Sequence, residues 1–281
     1  VLEYMNEYHW IDEFPVIVIS AEEENSIIEK AYNLGAAEYI QRPFDAFIIK
    51  RRVLNTLALY ANQKKLTNVV VNQIYEKEEN NKAMISILSN VVGTYNKESR
   101  EHILHIRIAT QMLLRRLVQK KDAYSLTESD ISLIATASSL HDIGKVGISK
   151  GILNKPAKLT DEEYEIMKTH TLIGAKMIQD MEYPVDKPLV KMAYEICRWH
   201  HERFDGKGYP DGLVGNAIPI SAQVVSVADA FDALTSSRVY KNAYDYKTAI
   251  QMILDGKCGC FNPLLLECLK EIGADIFVAF R

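Results

Sequence analysis

Residues 126–147, LTESDISLIATASSLHDIGKVG, decide the fold of the larger part of this chain. Thr127 is typical of a helix N-cap, and Asp130 stands at the third helical position, where its carboxylate completes a capping box. Apolar residues then recur at helical spacing. We therefore predict a helix that runs into His141-Asp142 and ends at Gly144.

Histidines beside acidic residues mark the end of this helix and two later segments. Four of the seven histidines stand in His141-Asp142, His170 and His200-His201-Glu202. Imidazole nitrogens and carboxylate oxygens are the groups that hold catalytic first-row metals. Packing alone hardly explains such a cluster, so we predict a metal site rather than a purely structural helical protein.

Three further residues are predicted to complete the site. Lys145 lies four residues after His141, so on a continuous helix it would return to the same face. The alternative is an ordinary helix end with a capping Gly144 and a lysine favoured by the helix dipole. Asp229 and Asp232 interrupt the apolar stretch VVSVADAFDAL, and acids on a buried helix need a partner. We predict Asp229 as a metal ligand and Asp232 as a residue that orients a histidine or lysine.

A weaker signal lies upstream. Glu98 and His102 are four residues apart, which is the spacing of two ligands on one helical face. Such pairs are also common on solvated helices. If both residues bind metal, a third ion becomes plausible.

The segment 203–210, RFDGKGYP, is rich in turn-forming residues. Gly206 and Gly208 would permit close backbone approach to a ligand, and Tyr209 offers an aromatic face for stacking on a base. The alternative is a tight surface loop, but loops beside metal ligands often line substrate sites.

The N-terminal part has a different pattern. Residues 14–20 (FPVIVIS) and 38–41 (EYIQ) are typical of strands, with a helical pattern at 21–34 between them. From Asp45 to about Val92 one helical pattern continues, which favours a linker helix that pairs with a second copy as a coiled coil. The alternative is two helices with a bend near Asn68 or Asn80.

Composition narrows the class of protein. The net charge of −4 argues against a binder of nucleic-acid polymers or anionic membranes, and 48% hydrophobic residues suffice for a real core. No apolar run approaches the ~18 residues of a membrane span, and no signal peptide is visible, so a cytoplasmic location is expected. The start at Val1 suggests a fragment.

The motifs HDIGK, HHERFDGKGYP and VADAFDALTSSRVYK together resemble the HD-GYP family of bacterial cyclic di-GMP phosphodiesterases, within the HD metal-hydrolase superfamily. The resemblance begins near Tyr95 and implies an all-α helical bundle. It implies metal ligands at Glu98, His102, His141, Asp142, His170, His200, His201 and Asp229. It also implies that Asp142 and Lys145 are catalytic, and that Lys145, Gly206, Gly208, Tyr209, Arg238 and Lys241 bind substrate.

One departure is His105, which stands where the family usually has Arg, with Arg107 two residues further on. An additional ligand is one interpretation of His105, and an orienting or solvent-facing residue is the favoured one.

The first 57 residues resemble the C-terminal half of a response-regulator receiver domain. Ser20 and Tyr39 stand at its switch positions, and Arg42-Pro43-Phe44 replaces the usual Lys-Pro-Phe. The phosphate-accepting Asp of that family lies on an earlier strand that this sequence does not contain. We therefore expect a mainly α chain: a partial α/β receiver-like fragment at 1–57, a linker helix at 58–92 and the phosphodiesterase domain at 93–281.

These resemblances predict a reaction and its partners. Two or three divalent ions, Fe or Mn with Zn or Ni as alternatives, would support hydrolysis of cyclic di-GMP to linear pGpG, with further cleavage to GMP left open. A homodimer through the linker helix and, for a complete receiver, an upstream histidine kinase are the expected partners. The alternatives are a cyclic di-GMP-binding signalling module and a hydrolase of another cyclic dinucleotide.

Overall fold

The computed structural model describes residues 1–22, 24–96, 100–120, 124–181, 187–236 and 243–281. The chain divides into two compact units, Val1–Asn80 and Asn81–Arg281. None of the helices in these described ranges combines the length and the hydropathy that a bilayer crossing requires.

The first unit contains a small α/β arrangement. Its elements in chain order are α1 (Leu2–Glu7), α2 (Trp10–Glu13), β1 (Ile17–Ser20), α3 (Asn25–Asn33) and β2 (Glu38–Gln41). The two strands pair in parallel, with Ile17 opposite Glu38 and Ser20 opposite Gln41. A parallel pair needs a crossover connection, which α3 supplies between the strands. Ala31, Ala36 and Tyr39 form the small buried cluster of this unit.

Helix α4 spans Ala46–Asn96 without interruption. The sequence predicted a helical pattern of about this extent, and the structure assigns these residues to one helix rather than to two. Several large apolar side chains of α4 are exposed, among them Phe47, Leu59 and Leu66.

The second unit is helical, as the sequence predicted. Its helices are α5 (Arg100–Lys120), α6 (Glu128–Ala137), α7 (Lys150–Leu153), α8 (Asp161–Lys168), α9 (His170–Gln179), α10 (Pro188–Trp199), α11 (Ile220–Thr235), α12 (Tyr246–Leu254) and α13 (Pro263–Ala279). Helix α11 is apolar on nearly all sides and packs against α5, α10, α12 and α13, so it lies at the centre of the core. Phe231 of α11 and Ile106 of α5 are among the largest fully buried side chains of this core.

Helix α6 is shorter than the sequence predicted. It ends at Ala137 and is followed by 3-10 turns at Ser138–Leu140 and Ile143–Gly147, whereas a continuous α-helix to Gly144 was expected. The hydroxyl groups of Thr136 and Ser138 each donate to a backbone carbonyl of the preceding turn at 2.7 Å, and such bonds compete with the helix ladder. The predicted capping box at the start of α6 is present.

Helices α8 and α9 are separated by a single residue. Helix α8 ends at Lys168 and α9 begins at His170. The hydroxyl group of Thr169, between them, donates to the carbonyl of Ile166 at 2.6 Å. The break places His170 at the first position of a new helix.

Candidate metal centre

Three of the predicted ligand histidines share one arrangement of their ring nitrogens. The Nδ1 atoms of His141, His170 and His200 lie 2.9, 2.7 and 2.8 Å from backbone carbonyl oxygens three or four residues earlier. A carbonyl oxygen only accepts hydrogen bonds, so each Nδ1 carries the proton and each Nε2 keeps its lone pair. All three residues stand at the ends of helical segments, where carbonyl groups run out of intrahelical partners.

The carboxylate of Asp142 lies beside all three lone pairs. His141 Nε2 is 3.1 Å from its Oδ2, and the Nε2 atoms of His170 and His200 are 3.2 and 3.8 Å from its Oδ1. Among the residues that the structure describes, the Nε2 atoms of His170 and His200 form no hydrogen bond, although both side chains are buried. Buried polar atoms are normally paired, so this arrangement fits a bound cation.

Two groups of potential ligands share Asp142. One group consists of Asp142, His170, His200 and His201, and the other of His102, His141 and Asp142, with the ligand atoms of each group within 4.8 Å of one another. The sharing is what a carboxylate that bridges two cations requires. The donors are nitrogen and oxygen without thiolate, and this set suits divalent first-row metals. The cluster is thus able to hold metal, while the role of each individual ligand stays a prediction.

Burial favours the neutral form of His200 and His201, which is the form that metal binding needs. Burial lowers the pKa of His200 to about 3. Burial and His200 together lower the pKa of His201 well below its ordinary value. Burial alone would raise the pKa of Asp142, but the charge of Lys145 outweighs it and holds the pKa of this carboxyl well below its usual range.

Lys145 pairs with Asp142 rather than simply sharing a face with His141. Its Nζ lies 2.6 Å from Asp142 Oδ2. The segment that carries it is a 3-10 turn with three residues per turn, so residues three apart come into line. The predicted positive charge beside the site is therefore present, but the α-helical geometry from which it was predicted is wrong.

Gly144 has a packing role that the capping interpretation misses. A Cβ at this position would lie 2.9 Å from Gly174 Cα and still closer to the carbonyl oxygen of His170. The 3-10 turn therefore packs directly on the start of α9, which brings Asp142 and His170 together. The alternative of a simple helix C-cap does not account for this contact.

Asp232 orients His102, as the sequence predicted for this acid. Its Oδ2 lies 2.6 Å from His102 Nδ1, and burial leaves the carboxylate 1% exposed. His102 therefore donates from Nδ1, and its Nε2 faces the site. The predicted ligand Asp229 lies beside this ring, with Oδ1 3.9 Å from His102 Nε2, but outside the two tighter groups.

Three predicted site residues lie outside the described residues. They are Glu98, Arg238 and Lys241, so the predicted third metal and the predicted phosphate contacts stay predictions.

The glycines of the segment 203–210 serve the loop itself. A Cβ on Gly208 would collide with the backbone of Glu202 and Arg203, and Gly206 has a φ of +78°. The close approach predicted for a ligand is thus made to the protein's own backbone. Binding of substrate by these glycines stays a prediction.

Tyr209 lies beside the metal ligands. Its ring stacks on His201 with the centroids 4.8 Å apart, and Lys168 Nζ lies 5.7 Å from the ring centroid. Burial, followed by the nearby Tyr164, raises the pKa of the Tyr209 phenol, so the ring is neutral at physiological pH. One face of the ring already contacts a histidine, so a stacked base would have to use the other.

Sequence reasoning assigned no role to Glu202, which organises this loop. Its buried carboxylate accepts hydrogen bonds from the backbone N–H groups of Asp211, Gly212 and Leu213 at 2.7, 3.0 and 3.1 Å. The available signal was an acid between the paired histidines and a glycine-rich segment. Asp211 is in turn held by both side chains that precede the ligand pair, Arg198 and Trp199.

Comparison with known proteins agrees with the fold. A family model described as an HD domain matches residues 82–258. The chain is 31% identical to a cyclic di-GMP phosphodiesterase of Thermotoga maritima, over 95% of this chain and 73% of that protein. It is 33% identical to a probable cyclic di-GMP phosphodiesterase of Vibrio cholerae, over 91% of this chain and 60% of that protein. It is also 34% identical to a 3'3'-cGAMP-specific phosphodiesterase 2 of the same organism, over 80% of this chain and 41% of that protein.

An all-α unit in which histidines from several helices surround a shared aspartate defines a helical metal-binding domain. The chain belongs to the HD domain family. The predicted resemblance to its HD-GYP members is confirmed by these relatives. The chain spans about 60% of the length of the Vibrio cholerae cyclic di-GMP relative.

Proposed function

We propose that this chain is a metal-dependent phosphodiesterase that hydrolyses cyclic di-GMP to linear pGpG. The observation that carries the proposal is the convergence of three Nδ1-protonated histidines on Asp142, with their Nε2 lone pairs available to cations. The names of the relatives from Thermotoga maritima and Vibrio cholerae support the substrate.

The proposed metal ligands form two sets, one for each of two ions. Asp142, His170, His200 and His201 would hold one ion, and His102 and His141 would share Asp142 in holding a second, with Asp229 beside it. Two ions, of iron or manganese given this donor set, are the expected number. When bound, they supply an activated water for attack on phosphorus and neutralise charge on the phosphate.

Lys145 is the proposed electrostatic and acid–base group of the chain. Its ammonium group is held 2.6 Å from Asp142 and its side chain is about one-fifth exposed, so it can face both the ligands and a substrate. A positive charge there would stabilise the oxygen that leaves phosphorus, or give it a proton. Tyr209, whose ring stacks on His201, is proposed to stack on a guanine base with its other face.

The N-terminal unit is proposed to belong to a response-regulator receiver. The parallel pair of β1 and β2 fits the predicted fragment, and Tyr39 is buried with its hydroxyl donating to the carbonyl of Glu22 at 3.1 Å. Because the Thermotoga maritima relative aligns with 95% of this chain, the alignment extends into residues 1–57. A histidine kinase would then act upstream, and the enzyme would work in the cytoplasm.

The exposed apolar residues of α4 support the proposed homodimer. Large apolar side chains as exposed as those of Phe47, Leu59 and Leu66 on one helix are unusual for a monomer. Pairing with the same helix of a second copy would cover them. Light scattering after gel filtration checks this, and a monomer at micromolar concentration would contradict it.

The enzymatic proposal is tested with anaerobically prepared protein, loaded with Fe²⁺ or Mn²⁺ or left metal-free. We expect cyclic di-GMP to be converted to pGpG only by loaded protein, with Asp142→Ala losing both metal and activity. Asp275→Ala, which changes an exposed aspartate on α13, is the matched control and should behave as the native chain. Tight binding of cyclic di-GMP without turnover would instead identify a signalling module.

A second candidate substrate is 3'3'-cGAMP. The 34% identity to a relative named for that dinucleotide favours testing it. Parallel assays with both dinucleotides decide by the ratio of their kcat/KM values. A ratio in favour of the mixed dinucleotide would replace cyclic di-GMP in the proposal without changing the metal chemistry.

A further inference from the structure

His105 lies one turn after His102 on α5 and has an acceptor at each ring nitrogen. Its Nδ1 is 2.6 Å from Asp232 Oδ1, and its Nε2 is 3.1 Å from the backbone carbonyl oxygen of Phe280. The side chain is 13% exposed. It is thus a nearly buried imidazole that belongs to neither group of potential metal ligands.

The two acceptors determine the protonation of this ring. A backbone carbonyl oxygen has no proton to give, and a carboxylate oxygen has none either. Both hydrogen bonds can form only if both ring nitrogens carry hydrogen, which makes the ring an imidazolium. The ring also stacks on Phe280, with centroids 4.1 Å apart and planes 10° from parallel, and the face of an aromatic ring stabilises a cation.

The charges that face His105 agree with this state. They are Asp232 from α11 and Glu101 from α5, both acidic, while Ser236 and Phe280 contribute neutral groups. Burial lowers the pKa of His105, but the hydrogen bond to Asp232 and the charge of Asp232 outweigh it, so the pKa lies above its ordinary value.

The second oxygen of the same carboxylate reaches the metal centre. Asp232 Oδ2 accepts the Nδ1–H of His102 at 2.6 Å, and Oδ1 accepts from His105 and from the hydroxyl of Ser236 at 2.7 Å. This carboxylate is 1% exposed, and an isolated buried carboxylate without a cation would be costly. A positive charge on His105 therefore stabilises the negative charge of Asp232, and Asp232 in turn orients His102.

We propose that His105 is a positioning residue that acts as a fixed buried cation: it holds Asp232 in place as the acceptor of His102, and so presents His102 Nε2 to the second metal. This inference rests on the proposed two-metal site. It also makes the carbonyl of Phe280, just after α13, part of the support of the centre, since it fixes the far side of the ring.

The experiment measures Mn²⁺ binding by titration calorimetry on the native chain, His105→Asn, His105→Arg and Ser236→Ala. Asparagine keeps a donor near the position of Nδ1 but cannot carry charge, whereas arginine keeps the charge and several donors. We expect two ions on the native chain, and a weakening of the second by about 10-fold or more in His105→Asn, the range seen when a group behind a ligand is lost. His105→Arg should recover most of that loss, and Ser236→Ala, which removes only a neutral donor, should change little.

The first ion is the internal check on folding, because the contacts described for His105 are made to Asp232, Ser236 and Phe280 and not to the ligands of that ion. Equal affinities for the second ion in the native chain and His105→Asn would overturn the inference and leave the proposed function intact. Equal losses in the asparagine and arginine variants would also overturn it, because they would show a steric role rather than a charge. A native chain that binds no second ion would refute the two-metal proposal as well.

A direct readout needs no metal. In the ¹⁵N spectrum of the native chain at pH 7.5, with the His105 signals assigned from their loss in His105→Arg, both ring nitrogens should appear protonated. A neutral tautomer at that pH would refute the proposed cation.

Discussion

Replacement of Gly144 by alanine is the sharpest test of how the fold assembles the metal site. The added Cβ would lie inside 3.0 Å, a distance that real Cβ atoms essentially never show, from Gly174 Cα and from the carbonyl oxygen of His170. Both obstacles are backbone atoms and cannot rotate away. The turn that carries Asp142 must therefore move away from α9, which carries His170.

The size of the effect follows from this geometry. Overpacking of a well-packed core by one methyl group costs about 1–3 kcal/mol. The required displacement, on the order of 1 Å, is comparable to misplacements that reduce enzymatic rates by about 100-fold. We therefore expect Gly144→Ala to lose roughly 1–3 kcal/mol in the free energy of unfolding and most of its metal affinity.

Two other glycines calibrate this experiment. A Cβ at Gly174 would meet its nearest atom at 3.2 Å, so Gly174→Ala should have an intermediate effect, whereas Gly151 has no atom within 4 Å of the added Cβ. Gly151 lies in α7, where alanine is the better helix former, so Gly151→Ala should leave stability unchanged or raise it slightly. Urea unfolding and metal analysis of the three variants give the order. If Gly144→Ala matched Gly151→Ala in both measurements, the close packing of the turn on α9 would be refuted.

Three further predictions concern single side chains. Lys145→Ala should slow turnover while metal stays bound, as measured by steady-state kinetics beside elemental analysis, and loss of metal would move this residue to a structural role. Glu202→Gln should cost about 1–3 kcal/mol in urea unfolding, because three backbone donors lose a charged acceptor, and the exposed Glu165→Gln is the control. In the metal-free protein, His200 should contribute a loss of stability as the pH falls from about 6.5 towards 3, because it takes up its proton only in the unfolded chain. Its share approaches ~1.4 kcal/mol per pH unit below 6.5, so an equal slope between pH 7.5 and 5.5 in the native chain and in His200→Gln would contradict this reasoning.

The sequence predicted the features that depend on residue type, such as the cluster of histidines and acids. It predicted less well the features that depend on contacts with backbone atoms far away in the chain. Paired histidines and acids predicted the cluster around Asp142, because few other roles demand those residue types together. The end of α6 was missed, since the hydroxyl of Thr136 competes with the helix ladder only in the folded geometry. The reason for Gly144 was also missed, because the atoms that require a glycine belong to a helix that begins at His170.

The long helix α4 and the strands of the first unit show the same contrast. Continuous periodicity predicted α4 and the strand at 38–41, whereas the first strand proved shorter than residues 14–20, at Ile17–Ser20. Periodic patterns locate an element, but its ends depend on partners that the pattern does not contain.

The three backbone donors gathered by Glu202 have a consequence for how a ligand would be received. Because the backbone amides of this loop are already hydrogen-bonded to Glu202, the loop would lose little conformational entropy on binding a dinucleotide. The loop would thus select a ligand by shape complementarity to a rigid surface. A change in ligand specificity would then require a new loop conformation rather than a more flexible loop.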